Sequence, residues 1–226
     1  MLMMERVKLD KSKVQGRFIY HFFKRALDIV ASACALIILF IPGMVLAFLI
    51  RHEDHGPSFY SQERIGKDGK PFKMYKFRSM IVNADQLVDQ LEAQNEINGA
   101  MFKIKDDPRV TKIGHTIRKY SLDELPQLWN VLIGDMSLVG PRPPLPSEVE
   151  EYTDYDFQRL SVTPGCTGLW QVTKRNDANF DEMVELDLDY INHSGFWYDL
   201  EIIFKTIGVM IHPNGAINSK KCKSIC

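Results

Sequence analysis

Little in this chain supports a disulfide framework or a zinc site. Its four cysteines, Cys34, Cys166, Cys222 and Cys226, form no C-x-x-C unit and share no regular spacing, so they read as reduced and structural. Charge of one sign is not in excess either. The formal net charge is -1 over 226 residues, which gives no support to nucleic-acid binding and its strongly basic footprint. Internal repeats are missing, and so is a small-residue cleavage pattern after the first apolar run, which ends at Arg51-His52; a cleaved signal peptide is thereby disfavoured. A chain of this length buries a real core in one or two domains.

Residues 1–25 carry seven Lys or Arg, including Arg6, Lys24 and Arg25, against Glu5 and Asp10, and read as a basic arm at a membrane surface. Ile29 to Ile50 is then an uncharged run of 22 residues. As a straight helix it measures about 33 Å, close to the ~30 Å hydrocarbon core of a bilayer. Pro42-Gly43 interrupts it, leaving pieces of roughly 20 Å and 12 Å, neither of which crosses alone. Residues 51–80 hold seven Lys or Arg against four acids, so both flanks carry the charge that marks the same membrane side. This pattern predicts a re-entrant helix-break-helix hairpin over 26–51, with a Pro-kinked single span as the alternative. His52, Asp54 and His55 read as loop residues at the interface rather than metal ligands.

Beyond the hairpin the pattern predicts a mainly helical α/β domain with few short strands, residues 52–211, and a loose Lys-rich tail, residues 212–226. Phe72 to Met80 alternates as a strand, placing Lys76 and Arg78 on one face as candidate phosphate contacts. Asn83 to Gln94 reads as a polar helix and Lys112 to Tyr120 as a short one carrying Arg118, five residues before Asp123. Gly134 to Pro146 is the most proline-dense stretch, and the fixed φ angles of its prolines hold Arg142 with little entropy to lose on binding an anion. An acidic helix over Ser147–Leu160, a strand over Leu169–Val172 with Arg175 just after it, and helices over Asp181–Asn192 and Phe196–Ile211 complete the chain. Phe196, Trp197 and Tyr198 are either an interfacial aromatic anchor or core.

The chemistry centres on Ser121-Leu122-Asp123-Glu124-Leu125-Pro126-Gln127-Leu128-Trp129-Asn130. Leu125, Leu128, Trp129 and Leu132 recur as one apolar helix face. Ser121 and Glu124 have the spacing of a capping box, which would make Glu124 a mere helix start. Pro126 leaves the start open: a helix beginning at Leu122 loses a bond there, and one beginning near Pro126 leaves the acids in the preceding loop. Either way two adjacent carboxylates stand at a helix head, where the ionised form of a nucleophile or metal ligand is favoured.

Four ordered stretches, Lys76–Met80, Ser121–Gln127, Gly134–Pro143 and Pro164–Val172, resemble the bacterial sugar transferase family, the monotopic polyprenyl-phosphate phosphoglycosyl transferases, over about Arg25 to Ile211. The resemblance implies transfer of a sugar 1-phosphate from a UDP-sugar to undecaprenyl phosphate with release of UMP. It also implies a covalent aspartyl-phosphosugar intermediate and the start of a surface polysaccharide or glycoconjugate, such as an exopolysaccharide or capsule. Asp123 matches the nucleophile, and Glu124 its partner in Mg²⁺ coordination. Arg118, Arg142 and Arg175 match arginines assigned to phosphates or nucleotide, and Asp199 a further functional acid. The implied location is the bacterial cell membrane, with the catalytic domain on the cytoplasmic face of the lipid bilayer, and the chain looks like the minimal form. A homo-oligomer is compatible with the pattern. Cys166 stands where the family usually has an aliphatic residue, and Thr173-Lys174-Arg175 lacks a common glycine. Two rival readings remain: a metal-dependent hydrolase of UDP-sugars or lipid pyrophosphates, and a non-catalytic membrane scaffold for glycan assembly.

Overall fold

A computed structural model describes residues 9, 10, 12, 14, 16–87, 107–174 and 178–211. The longest element, α1 (Phe18–Asp54), is helical throughout, with Pro42 inside it. The uncharged run thus lies within one helix of 37 residues, without a non-helical break, and that helix is long and apolar enough to cross a membrane. Trp197 and one side of α1, including Phe22, Val30, Ile37, Ile38, Ile41 and Phe48, are exposed.

Both ends of α1 are bonded to the rest of the protein. Near its start, Arg25 donates to the carbonyls of Val131 and Leu132 at 2.6 and 2.9 Å, and Asp28 accepts from the Leu138 N–H at 2.9 Å. Arg17, just before it, donates to the carbonyls of Asn192 and Ser194. Near its end, the Ser58 hydroxyl donates to the Ala47 carbonyl at 2.6 Å, and Glu53 accepts from the Lys112 N–H at 2.8 Å.

An antiparallel hairpin follows, β1 (Phe59–Ile65) and β2 (Pro71–Phe77), with Phe59 opposite Phe77 and Ile65 opposite Pro71. After α2 (Lys112–Lys119), capped by the Thr111 hydroxyl accepting from Gly114 N–H, come a 3₁₀ turn at Leu122–Glu124 and α3 (Gln127–Ile133). The chain then crosses from β3 (Ser137–Val139) through α4 (Pro146–Glu150) to β4 (Gly165–Thr167), which lies parallel to β3, and closes with α5 (Leu169–Thr173), α6 (Phe180–His193) and α7 (Phe196–Ile211). The described residues are mostly helical with few short strands, as expected.

The main core joins Val139, Leu169, Val172, Val184, Leu188, Ile191 and Ile202. A second cluster packs Ala47 and Ile50 of α1 on Phe77 and Ile117. A buried ion pair between Arg159 and Asp187 also ties in Tyr152 and the Arg142 carbonyl.

Several local expectations are corrected. Leu169–Val172 is helical because the β ladder stops at Thr167 and Gly168 is the extended N-cap; Leu169 and Val172 then share the buried face. The acidic helix over Ser147–Leu160 breaks after Glu150, where Asp156 accepts from both the N–H and the hydroxyl of Thr153, a local pattern that competes with helix. Within Asn83–Gln94, Ala84–Leu87 is a 3₁₀ turn, and residues 88–94 lie outside the described residues, as does the tail. The aromatic triplet divides its work: Trp197 is 79% exposed while Tyr198 packs on the core.

Gly165 and Gly140 cross so closely that a Cβ on Gly165 would stand 2.0 Å from the Gly140 nitrogen. Backbone cannot yield as a side chain would, so Gly165→Ala is expected to lose ~3 kcal/mol or more of stability, read as a depressed thermal midpoint; an unchanged midpoint contradicts the crossing.

Candidate active site

Asp123 and Glu124 end the short turn before α3. Ser121 has left-handed backbone (φ 56°) and makes no side-chain cap, so the expected capping box does not form. The helix starts beside Pro126, whose missing N–H suits that place, and the acids precede it. On α3 the buried positions are Gln127, Asn130 and Val131, whereas Trp129 is half exposed. The apolar stripe of Leu125, Leu128 and Trp129 lines two cavities, Leu125 also packing on the cluster around Phe77 and Ile117, while the polar Asn130 turns inside to its partners.

The larger cavity, about 720 Å³, has Arg118, Ser121, Asp123 and Glu124 at one end. Its other walls come from Ala31, Ala35 and Leu39 of α1, Cys166 and Thr167 of β4, Trp170 and Gln171 of α5, and Ile203 and Ile207 of α7. A second cavity, about 390 Å³, is almost wholly apolar and shares Leu39, Leu125 and Leu128 with the first. Leu36, Phe40, Gly43 and Met44 of α1 form one wall, and Phe59, Tyr75 and Phe77 of the hairpin another.

The two acids differ in their surroundings. Lys76 Nζ donates to Glu124 Oε1 at 3.0 Å. Burial alone would push the Glu124 carboxyl up, but the Lys76 ammonium, its hydrogen bond and the Arg142 charge outweigh it and hold Glu124 below the usual range. Asp123 is only 9% exposed and forms no ion pair among the described residues. Burial, with the Glu124 charge adding to it, pushes its carboxyl up to about 6 against the weaker pull of Lys76 and Arg118. Burial likewise drives the Cys166 thiol far up, so it stays neutral.

Of the eight residues singled out in the sequence, Lys76, Arg118, Asp123 and Glu124 gather here. Arg118 also donates to the Ser79 hydroxyl at 2.8 Å. Arg142 acts on Glu124 by its charge while lying 3.8 Å from Glu148. Arg78 does not join them: β2 has ended at Phe77, and the Arg78 guanidinium is buried in an ion pair with Asp54 at the end of α1. Asp199 does not line either cavity. It is buried and accepts from Lys24, Tyr20 and Tyr190 at 2.9, 2.9 and 2.7 Å. Arg175 lies outside the described residues. Trp170 and Gln171 were hidden from sequence reasoning by the strand assignment, since only a helix there turns both to the cavity. Asn130, too, carried no signal: a polar residue within an apolar run is ordinary until its partners are seen.

Comparison with known proteins identifies the family. Residues 19–213 match the family model described as bacterial sugar transferase. The chain is 50% identical over 196 residues to a galactosyl transferase, CpsE, of Streptococcus agalactiae, covering 85% of this chain and 43% of that protein. It is 44% identical over 219 residues to an undecaprenyl-phosphate galactose phosphotransferase of Salmonella typhimurium, covering 95% and 45%. The chain therefore spans less than half the length of these two relatives. With the exopolysaccharide production protein ExoY of Rhizobium meliloti it is 39% identical over 197 residues, covering 85% of this chain and 87% of that one. On a family match over most of its length, around the cavity that holds Asp123 and Glu124, this chain belongs to the bacterial sugar transferase family.

Proposed function

We propose that this chain transfers a sugar 1-phosphate from a UDP-sugar to undecaprenyl phosphate, through a covalent intermediate on Asp123, as the first step of a surface polysaccharide or glycoconjugate. The observation that carries this reading is the unequal treatment of the two acids: Glu124 is neutralised by Lys76, while Asp123 is buried beside it without a cation at bonding distance. A carboxylate so raised is a better nucleophile than one held in an ion pair, yet it is ionised at neutral pH. One Asp123 oxygen attacks the sugar-bearing phosphorus, and the bond from that phosphorus to the bridging oxygen breaks. UMP leaves with the electron pair. A phosphate oxygen of the lipid then attacks the same phosphorus, the acyl phosphate bond breaks, and the Asp123 carboxylate returns. Arg118 and Arg142 offset charge on the phosphates at the two sides of the acids.

Mg²⁺ fits the donor set. Asp123 and Glu124 offer hard oxygens, and no group of three acids, His or Cys forms a full cage among the described residues. A magnesium ion is typically held by one or two carboxylates with substrate phosphates completing its shell. Glu124, with the oxygen not bonded to Lys76, is the residue to hold it. When bound, the ion would neutralise charge on the donor diphosphate.

The apolar cavity beside the acids suits the isoprenoid chain of the acceptor. Its wall on α1 also supports a re-entrant placement, in which α1 enters one leaflet and leaves on the cytoplasmic side where it began. Both helix ends are bonded to one domain and both flanks are basic, which disfavours ends on opposite sides.

UMP release with a panel of UDP-sugars, UDP-galactose first, tests the reaction: release should require undecaprenyl phosphate for multiple turnovers. Continuous formation of free sugar phosphate without the lipid would point to the hydrolase. Asp123→Asn should abolish transfer and, by removing an unfavourably buried charge, raise stability at neutral pH by about 3 kcal/mol; a variant that still turns over removes the nucleophile.

The pH dependence follows in sign. Asp123 is protonated more readily folded than unfolded, so its ionisation destabilises the fold as pH rises from about 4 to about 6, whereas kcat/KM should fall as pH drops through about 6. A flat rate between pH 5 and 7, measured under conditions where chemistry limits, argues against this assignment. Single cysteines at positions 17 and 67 should both resist a membrane-impermeant reagent in intact cells. Labelling at either one would favour a spanning helix.

A further inference from the structure

The outer edge of β2 makes a second attachment to the segment that carries the acids. Asn130 of α3 is fully buried. Its Oδ1 accepts from the Tyr75 N–H at 3.0 Å, and its Nδ2 donates to the Lys73 carbonyl at 2.7 Å. Those backbone groups lie two residues apart on one strand edge, so the carboxamide fills the place of a residue in a neighbouring strand. Among the described residues β1 is the one strand partner of β2, and Asn130 covers the opposite edge. Nδ2 also reaches Asp135 Oδ2 at 3.3 Å, so the amide group is committed on both of its sides.

Lys76 follows Tyr75 directly, and Glu124 lies six residues before Asn130. The segment from Leu122 to Ile133 and strand β2 therefore meet at two points, the carboxamide on the strand edge and the Lys76–Glu124 ion pair 3.0 Å long. Lys76 is a long, flexible cation, and its side-chain entropy opposes any single position. Fixing the backbone immediately before it limits where the ammonium can go.

We propose that Asn130 is a positioning residue for the transfer reaction: by locking the Lys73–Tyr75 edge to α3 it keeps Lys76 on Glu124, which leaves Asp123 as the unpaired nucleophile. This rests on the reading of Asp123 and Glu124 given above. Asp123 is faced by Glu124 on its own turn, Lys76 from β2 and Arg118 from α2, while Arg142 acts at Glu124 and the neutral Cys166 thiol comes from β4. Only Lys76 among these is held by Asn130. When the edge slips, Lys76 withdraws from Glu124 and the two acids lose their arrangement for the chemical step, so kcat falls while binding of the UDP-sugar is retained. A purely structural asparagine would lower stability and leave the kcat of the folded protein in place.

Two measurements decide it. In the wild-type chain in nanodiscs, the Tyr75 amide should exchange with solvent ~100-fold or more slowly than an unstructured amide; exchange at the rate of an open strand edge overturns the proposal. In Asn130→Asp and Asn130→Ser, kcat should fall ~10-fold or more with KM for the UDP-sugar changed less than ~3-fold. Adding Lys76→Gln to Asn130→Asp should cost little more than Asn130→Asp alone. An unchanged kcat, or losses that multiply, overturns it. Where neither variant folds, fast Tyr75 exchange in the wild-type chain still overturns the proposal. Failure of the nucleophile assignment would show separately, as turnover by Asp123→Asn with Tyr75 exchange unaltered.

Discussion

The ion pair between Lys76 and Glu124 gives this site its asymmetry. Two carboxylates on adjacent residues in a largely apolar cavity repel one another and resist ionising together. A cation brought from a separate element settles which of them remains charged most easily. Glu124 takes that cation, and the cost of burial falls on Asp123, whose carboxyl is raised to about 6. That cost is a loss of stability retained in the fold. The hairpin of β1 and β2, the turn at Leu122–Glu124 and α3 can be understood as the means of bringing Lys76 to Glu124.

Helix α1 supplies the second requirement, an apolar wall next to a charged site. Arg25 near one end occupies the last carbonyls of α3, which would otherwise lack partners, and Ala47 and Ile50 near the other pack on Phe77 and Ile117. The same helix lines both cavities. The proposed reaction brings a water-soluble nucleotide sugar and a lipid phosphate to one carboxylate from different solvents, and a helix with an exposed apolar side and a cavity-lining side meets both demands.

Much of this was legible in the sequence where a short stretch decides the matter. The closing helices, α2, the β2 strand and the carboxylate pair follow from periodicity and turn residues, and the family resemblance rests on four ordered motifs. What the sequence hid depends on partners distant in the chain. Ser121 and Glu124 spell a capping box, but Glu124 is claimed by Lys76, 48 residues earlier. Arg78 shares a strand face with Lys76 on paper, yet Asp54 takes it once β2 ends. Leu169–Val172 has strand-like composition, and only the end of the β3–β4 ladder turns it into helix. Asn130 illustrates the same limit, since its two backbone partners lie on another element.

The central claim is that Asp123, and not Glu124, carries the sugar phosphate between donor and lipid. Peptide mass mapping of the protein quenched after reaction with a UDP-sugar in the absence of undecaprenyl phosphate tests it most directly. The account predicts a sugar-phosphate adduct on Asp123 that disappears when the lipid is added. An adduct on Glu124 or elsewhere, or full transfer with no adduct at any time, would contradict it.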